Sequence, residues 1–257
     1  MRKLIGLTGP SAFSDECKIV IEKYLKQNFV FLSHDDMENL EGWLEKCDAF
    51  LVSGGVDVHP SLYERDIPNH QNMSKFDFQR DLRETVVIDH AITQKKPMLG
   101  ICRGHQMIGL YHGVKADFCL DLSSSHTVHQ PTKSNVSISK GEPVHYVELL
   151  DPKAFPVDAP QEREILKRIM EEDQQKRLWV NSFHHQGIYY NPQGFDYMGR
   201  GIEVLGISPA DQNNKQFKII ELMRGETWIS AQWHPEWDYE SNTPSRAVID
   251  YFKRMVQ

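Results

Sequence analysis

An α/β fold with a mainly parallel sheet and an added antiparallel segment is predicted from three observations. Short apolar runs alternate with helical patterns through much of the chain, which is typical of βαβ units. One such run, residues 97–101, passes at once into a helical pattern that begins at Arg103. Between residues 115 and 160 the pattern changes to short alternating segments, which indicates antiparallel strands attached to the same sheet. Because no repeat or low-complexity linker interrupts residues 1–257, we expect a single domain.

The individual elements follow from the spacing of apolar residues and from the turn residues that interrupt them. Strands are predicted over residues 4–8, 29–32, 49–52, 97–101, 136–138, 144–150, 202–207, 217–223 and 228–233. Helices are predicted over residues 15–26, 37–46, 76–94, 103–112, 161–176 and 244–255. Ser14 is placed to cap the first helix. The third helix is predicted from the apolar residues Phe78, Leu82 and Val86, which recur at helical spacing.

Composition limits the classes of partner. The 29 basic and 36 acidic residues give a net charge of −7, which argues against nucleic acid because phosphate binding requires clustered Lys and Arg. No stretch reaches the roughly 18 apolar residues that a membrane span needs. Four cysteines, at positions 17, 47, 102 and 119, lack CxxC pairing, so we expect free thiols and a cytoplasmic location.

The segment around Cys102 carries the strongest chemical signal. Gly100-Ile101-Cys102-Arg103-Gly104 has the G-x-nucleophile-x-G form of a strand–elbow–helix turn, with Cys in place of Ser. A nucleophile on so tight a turn adopts a strained backbone, and the helix that follows favours the thiolate. The alternative is that Cys102 is a small buried residue at a strand end. The predicted strand before it and helix after it favour the nucleophile.

A base for this nucleophile is predicted at the end of the last strand. His234 would lie at that strand end, and Glu236 follows it across the rigid Pro235. A carboxylate that accepts the imidazole N–H fixes the tautomer and stabilises the imidazolium. The alternative is a surface histidine with an unrelated glutamate, and the pair alone does not decide between them.

Two further segments could complete a site. Gly54-Gly55 follows a buried strand and would let backbone N–H groups approach a ligand, although a plain turn is the commoner role of such a pair. Residues 181–186 read NSFHHQ and could line a pocket for an α-amino and an α-carboxylate group. Adjacent histidines point to opposite sides of an extended segment, and His126 and His129 lack a Cys or carboxylate at a familiar spacing. No metal site is therefore expected.

Taken together, the segments resemble the class I glutamine amidotransferase superfamily, and most closely its γ-glutamyl-γ-aminobutyrate hydrolase, or peptidase C26-like, branch. The matching motifs, in the family's order, are GGVDVHP at 54–60, PMLGICRGHQ at 97–106, NSFHHQ at 181–186 and QWHPE at 232–236. The helix that carries Asp77, Arg80, Asp81 and Glu84 also resembles a segment these enzymes have ahead of the elbow. The resemblance spans residues from about 50 to 237.

The resemblance implies a flavodoxin-like three-layer α/β/α sandwich and a γ-glutamyl thioester on the cysteine. It implies Cys102 as nucleophile, His234 as general base and acid, and Glu236 as the group that orients it. Backbone N–H groups of Gly55 and Arg103 would stabilise the oxyanion. The implied substrate-binding residues are Gly54, Gln106, Ser182, His184, His185 and Gln186. No metal or organic cofactor is implied.

The leading hypothesis is a stand-alone hydrolase acting on a small γ-glutamyl amide. The alternative is a glutaminase subunit that passes ammonia to a separate synthetase, because His105 beside Gln106 is similar to ammonia-channelling glutaminases. A third hypothesis, a binding protein without activity, has no use for Cys102, His234 and Glu236 together. The sequence leaves open both the amine that leaves and whether the chain forms a homo-oligomer.

Overall fold

The computed structural model describes residues 2–9, 15–32, 39–63, 76–115, 118–119, 122, 129, 140–150, 177–210 and 217–257. The strands in these ranges are β1 (Leu4–Thr8), β2 (Asn28–Phe31), β3 (Ala49–Val52), β4 (Met98–Ile101), β5 (Phe118–Cys119), β6 (His145–Leu149), β7 (Arg177–Val180), β8 (Gly187–Ile188), β9 (Glu203–Pro209), β10 (Lys218–Arg224) and β11 (Trp228–Ala231). The helices are α1 (Asp15–Ile19), α2 (Leu40–Lys46), α3 (Phe78–Thr93), α4 (Arg103–Tyr111), α5 (Pro235–Asp238) and α6 (Thr243–Val256). A π-helical stretch, Val20–Leu25, continues α1, and Pro60–Tyr63 and Met198–Arg200 are short 3₁₀ helices.

Within the described ranges, nine strands form one sheet in the order β2-β1-β3-β4-β11-β10-β9-β6-β7. The first five of these run parallel to one another, and each later strand runs antiparallel to its neighbour. Strands β5 and β8 form a separate antiparallel pair. Because β4 lies between β3 and β11, the segments that follow these three parallel strands meet at one edge of the sheet.

Helices cover both faces of the sheet. On β3, Ala49 and Leu51 join a core that includes residues of α1 and α6, whereas Phe50 and Val52 join a second core with residues of α2, α3 and α4. This alternation is the period-two pattern of a strand buried on both faces. The predicted three-layer α/β/α sandwich with a mainly parallel sheet and an added antiparallel segment is confirmed.

Most predicted elements are present, with corrections at their ends. The strands predicted over residues 4–8 and 49–52 coincide with β1 and β3. The helix predicted over residues 15–26 is α-helical only to Ile19, and the π-helical stretch that follows buries Val20, Ile21 and Leu25. The strand predicted over residues 228–233 ends at Ala231, because Pro235 starts the short helix α5.

Three predictions fall outside the described residues: the Ser14 cap, the strand over residues 136–138 and the surface helix over residues 161–176. In the part of the chain that is described, no helix combines the length and the apolar character needed to cross a membrane.

Candidate active site

Cys102 lies on the turn between β4 and α4. Its φ of 51° and ψ of −102° are unusual for a residue with a side chain, and such a conformation costs on the order of 1–3 kcal/mol. The turn is held by a hydrogen bond of 2.8 Å from the backbone N–H of Cys102 to the carbonyl of Ala231. Cys102 is 5% exposed, so it is almost fully buried at the edge of the sheet where β4 ends. The strained elbow predicted from the sequence is therefore present.

The two glycines of the elbow motif are required by packing. A Cβ on Gly104 would lie 2.0 Å from the carbonyl oxygen of Val52, and one on Gly100 would lie 2.6 Å from Ile108 Cδ1. Helix α4 thus packs directly against the end of β3, at a distance that excludes any side chain at Gly104. This close packing brings the first turn of α4 next to the segment that follows β3.

His234 and Glu236 lie beside Cys102, immediately after β11. The Nδ1 of His234 is 2.7 Å from Glu236 Oε1, and the imidazole is close enough to the Cys102 side chain for the two groups to interact electrostatically. Burial disfavours the imidazolium, yet the Glu236 carboxylate and the Cys102 sulfur outweigh it and raise the pKa of His234 to about 10. The arrangement therefore favours a charged imidazole next to the sulfur at neutral pH.

Two residues that the sequence analysis did not assign hold His234 in position. Asn181 accepts a hydrogen bond of 2.9 Å from the backbone N–H of His234 and donates one of 2.8 Å to its carbonyl. Trp237 stacks on the imidazole, with ring centroids 3.8 Å apart and an interplanar angle of 6°. An aromatic face over an imidazolium is electrostatically favourable. Backbone and ring of His234 are therefore fixed by different neighbours.

A cavity of about 170 Å³ opens beside these residues. It is lined by Gly55, Val56, Asp57, Cys102, Arg103, Gln106, Phe183, His184, His185, Gln186 and His234. Most of the residues assigned to the site from the sequence therefore contribute to its wall. Val56, Asp57 and Phe183 were present in the quoted motifs but were not assigned a role.

Three assigned residues do not line the cavity. Glu236 lies behind His234, as an orienting group would. A Cβ on Gly54 would lie 2.9 Å from His234 Cε1 and 3.6 Å from Cys102 Cβ, so Gly54 gives the imidazole room. Ser182 is buried, and its hydroxyl donates a hydrogen bond of 2.7 Å to the carbonyl of His129. The structure thus places Gly54 and Ser182 in supporting positions and not on the wall.

The polar wall residues are tied to one another. His185 Nε2 is 2.9 Å and 3.1 Å from the two carboxylate oxygens of Asp57. The Gln106 amide donates hydrogen bonds of 3.1 Å to the carbonyl of Gln186 and 3.2 Å to the side chain of Gln232. The Gln232 amide in turn lies 3.7 Å from the sulfur of Cys102. These contacts join the elbow helix to the segment that follows β7.

Arg103 has its side chain in a buried ion network below the cavity. It contacts Asp81 and Glu84 of α3, and Arg80 Nε is 2.7 Å from the same Glu84. Arg80 also donates hydrogen bonds of 2.9 Å and 3.0 Å to the carbonyls of Ser53 and Gly54. Burial opposes ionisation of Glu84, but the two arginines outweigh it and lower the pKa of its carboxyl group. The network thus connects α3 to both the elbow and the Gly54 turn.

His105 and a separate cluster of histidines form hydrogen bonds with groups other than the Cys102 thiol. The two ring nitrogens of His105 lie 3.0 Å from Ser230 Oγ and 3.1 Å from the carbonyl of Ile220, and burial lowers its pKa to about 4. His105 is therefore a neutral core residue. Among the described residues, one group of side chains is close enough together to hold a metal ion: His129, His145, His184 and Glu221. Of these four residues, His184 also lines the cavity.

Comparison with known proteins gives consistent matches. The model of the Peptidase C26 family matches residues 13–236. The chain is 28% identical over 230 residues to the glutamine amidotransferase-like protein YvdE of Lactococcus lactis subsp. lactis, covering 89% of this chain and 82% of that protein. It is 24% identical over 216 residues to a γ-glutamyl-γ-aminobutyrate hydrolase of Shigella flexneri, covering 83% and 73%. A glutamine amidotransferase structure from Thermotoga maritima has the same fold, with a TM-score of 0.57 at 14% identity over 100% of this chain and 99% of that one.

Proposed function

Because the chain belongs to the Peptidase C26 family, we propose that it hydrolyses the amide bond of a small γ-glutamyl compound, with Cys102 as the nucleophile. The members of this family are enzymes of the glutamine amidotransferase and peptidase C26 class. The observation that carries the finer proposal is the contact of Cys102, His234 and Glu236 at the wall of a cavity. The relative named as a γ-glutamyl-γ-aminobutyrate hydrolase supports the substrate class.

The proposed reaction has two steps. The Cys102 thiolate attacks the γ-carbonyl carbon, the C–N bond breaks, and the amine leaves with a proton from the His234 imidazolium. Water then gives a proton to His234 and attacks the thioester, the C–S bond breaks, and the thiolate returns with release of glutamate. Glu236 orients the ring through Nδ1 and stabilises its charged form in both steps.

The oxyanion formed in each step needs fixed donors. Arg103 is the first residue of α4, so its backbone N–H has no partner within the helix and lies at the positive end of the helix dipole. Gly55, which also lines the cavity, has a φ of 153° that favours glycine. We assign the oxyanion to the backbone N–H groups of these two residues. Removal of one such donor typically costs about 10²–10³ in rate.

The glutamyl part of the substrate would bind along the polar wall. Asp57 supplies a carboxylate for an α-ammonium group, and His185 and Gln106 supply polar atoms on the same wall. The cavity volume of about 170 Å³ suits one glutamyl group better than a peptide. The leaving amine would then lie toward the cavity mouth.

The test is a substrate panel. Purified protein is incubated with glutamine and with a series of γ-glutamyl amines, and the released glutamate and amine are both quantified. We expect release from at least one γ-glutamyl amine, loss of release in Cys102→Ala, and wild-type rates in Cys47→Ala, which removes another buried thiol outside the cavity.

Two outcomes would change the proposal. Equal release by the wild type and Cys102→Ala on every substrate would overturn the enzymatic proposal. Cleavage of glutamine alone, with a rate that rises when a synthetase partner is added, would instead support the glutaminase alternative.

A further inference from the structure

Four buried side chains outside the catalytic contacts converge on one point. They are His129, His145, His184 and Glu221, and their candidate ligand atoms all lie within 4.8 Å of one another. Glu221 Oε1 is 3.6 Å from His129 Nδ1, 3.7 Å from His145 Nε2 and 3.8 Å from His184 Nε2. Each of the four residues is at most 4% exposed. Three imidazoles and a carboxylate are thus held together where water has little access.

The outer nitrogens of the three rings face backbone carbonyls. His129 Nε2 is 2.8 Å from the carbonyl of Pro209, His184 Nδ1 is 2.8 Å from that of Gln186, and His145 Nδ1 is 3.3 Å from that of Tyr146. Because a carbonyl only accepts, each of these nitrogens carries the hydrogen, and the inner nitrogen of each neutral ring presents a lone pair. Metal-bound histidines are oriented in this way by their second ring nitrogen.

Three of the described atoms that face the centre lack a donor. Among the described residues, His145 Nε2, His184 Nε2 and Glu221 Oε2 have no hydrogen-bond partner. Ser208 donates a hydrogen bond of 2.7 Å to Glu221 Oε1, which leaves the carboxylate largely uncompensated. Buried polar groups in proteins are nearly always satisfied by a partner or an ion. Lone pairs from three sides and a buried carboxylate together favour a cation at the centre.

The spacing fits a small divalent ion. Ligands at about 2.0–2.1 Å from a tetrahedral zinc lie roughly 3.3–3.4 Å from one another. The three distances from Glu221 Oε1, 3.6–3.8 Å, exceed this by a few tenths of an ångström. The widest separation among the four candidate ligand atoms, up to 4.8 Å, exceeds the same spacing by about 1.4 Å, so side-chain movements of about 1 Å would close the coordination sphere. Three nitrogens and one carboxylate oxygen form a donor set typical of zinc, and four protein ligands complete its tetrahedron.

We propose that His129, His145, His184 and Glu221 bind one zinc ion, which has a structural role distinct from the chemistry at Cys102. The ligands come from β6, from β10, from His129 and from the segment after β7. His184 belongs to that last segment, which also forms the cavity wall with His185 and Gln186. The ion would therefore fix the wall of the cavity to the antiparallel half of the sheet.

A proton is the competing occupant. Burial raises the pKa of Glu221 to about 8, so without a cation its carboxyl group would hold a proton and could donate it to one imidazole. A proton would pair with one ring nitrogen, whereas a metal ion would accept lone pairs from all three rings. Metal analysis separates the two occupants directly.

The experiment measures metal in the chain of 257 residues. Protein is stripped with a chelator, incubated with Zn²⁺, passed over a desalting column and analysed by mass spectrometry of the elements. We expect about one zinc per chain in the wild type and little in Glu221→Gln or His145→Gln. His112→Gln is the matched control because it changes a partly buried histidine outside the cluster. Cys102→Ala should retain the metal, which separates this proposal from the proposed function.

Two further measurements guard against variants that fail to fold. Ser208→Ala removes only the hydroxyl that holds Glu221, and we expect its zinc affinity to fall by about 10–100-fold. Co²⁺ bound to the wild type should give the absorption of a tetrahedral site without a thiolate-to-cobalt band. A wild type that keeps no zinc after desalting would overturn the proposal. So would zinc retained equally by Glu221→Gln and His145→Gln, or a thiolate band in the cobalt spectrum.

Discussion

At the scale of single residues, the charge on His234 links the candidate site to the stability of the fold. Its pKa of 6.5 in the unfolded chain rises to about 10 in the folded one, because Glu236 and Cys102 outweigh burial. Between these values the folded state binds more protons, so the free energy of unfolding from this group falls as pH rises. The stabilisation is complete below pH 6.5 and is lost as pH approaches about 10.

Glu236→Gln tests this linkage. The variant removes the carboxylate 2.7 Å from the ring, so the pKa of His234 should fall toward its ordinary value. Denaturation by urea at pH 6, 8 and 10 is expected to give a stability difference between wild type and variant that shrinks with pH. Taking the difference cancels groups common to both proteins. A difference that is constant over this range would contradict the raised pKa of His234.

The close packing of Gly104 gives a second prediction at this scale. In Gly104→Ala the new methyl group would lie 2.0 Å from the carbonyl oxygen of Val52, so α4 or β3 must shift. We expect the free energy of unfolding to fall by about 2–3 kcal/mol or more. The control is Gly42→Ala in α2, where nothing lies within 4 Å and a gain of about 0.5–1 kcal/mol is expected. Similar stabilities for the two variants in thermal denaturation would refute the packing argument.

The sequence motifs predicted that Cys102, His234 and Glu236 lie close together. This prediction was possible because the three residues follow strands that end at the same edge of the sheet. Their catalytic roles stay predictions. Asn181 and Trp237 were not assigned, because their role depends on a backbone contact and a ring stacking that no one-dimensional spacing encodes. The cluster around Glu221 was missed for the same reason. Its four residues lie far apart along the chain, without the short spacings by which metal sites are recognised.

At the scale of elements, α3 carries charged residues that support the site from below. The helix was predicted from Phe78, Leu82 and Val86, which are 41–46% exposed, and it resembles a family segment through charged residues that include Asp81 and Glu84. In the fold both are buried against Arg80 and Arg103. Two further elements were not predicted. The π-helical stretch after α1 depends on which of its residues are buried, and the short helix α5 depends on the turn at Pro235.

Glu84→Gln tests the network that joins α3 to the elbow. The change leaves two buried arginines facing a single carboxylate, and breaking such a buried pair typically costs about 3–5 kcal/mol. Because Arg80 also holds the carbonyls of Ser53 and Gly54, we expect turnover by the folded fraction to fall as well. Stability is measured by chemical denaturation, and turnover with the substrate identified in the panel.

The matched control for Glu84→Gln removes an exposed ion pair. Glu226 lies 2.8 Å from Lys95, with side chains 72% and 67% exposed, so Glu226→Gln should change stability by less than about 1 kcal/mol. Equal effects of the two variants would mean that the buried network does not stabilise the elbow.

At the scale of the whole molecule, the alternation of strands and helices sufficed to predict a mainly parallel sheet with an antiparallel segment, and the family resemblance implied the three-layer sandwich. The order of the strands could not be read in this way, because β11, from the end of the chain, pairs with β4 in the centre of the sheet. That pairing completes the candidate site, since it carries His234 to the elbow. A fold with such distant partners should lose its site and its core together, which bears on the prediction that the chain is a single domain.

The cysteines report on that cooperativity. Cys17 lies in the core on one face of the sheet and Cys47 in the core on the other, and both are at most 1% exposed. Burial is the main cause that raises the pKa of both thiols, to about 11 for Cys47. If residues 1–257 unfold as one unit, a thiol reagent should modify both at the rate of global unfolding. Cys102, on the cavity wall, should react earlier in the native state. Peptide mapping after timed labelling in dilute urea measures the three rates, and distinct rates for Cys17 and Cys47 would show that the two faces open separately.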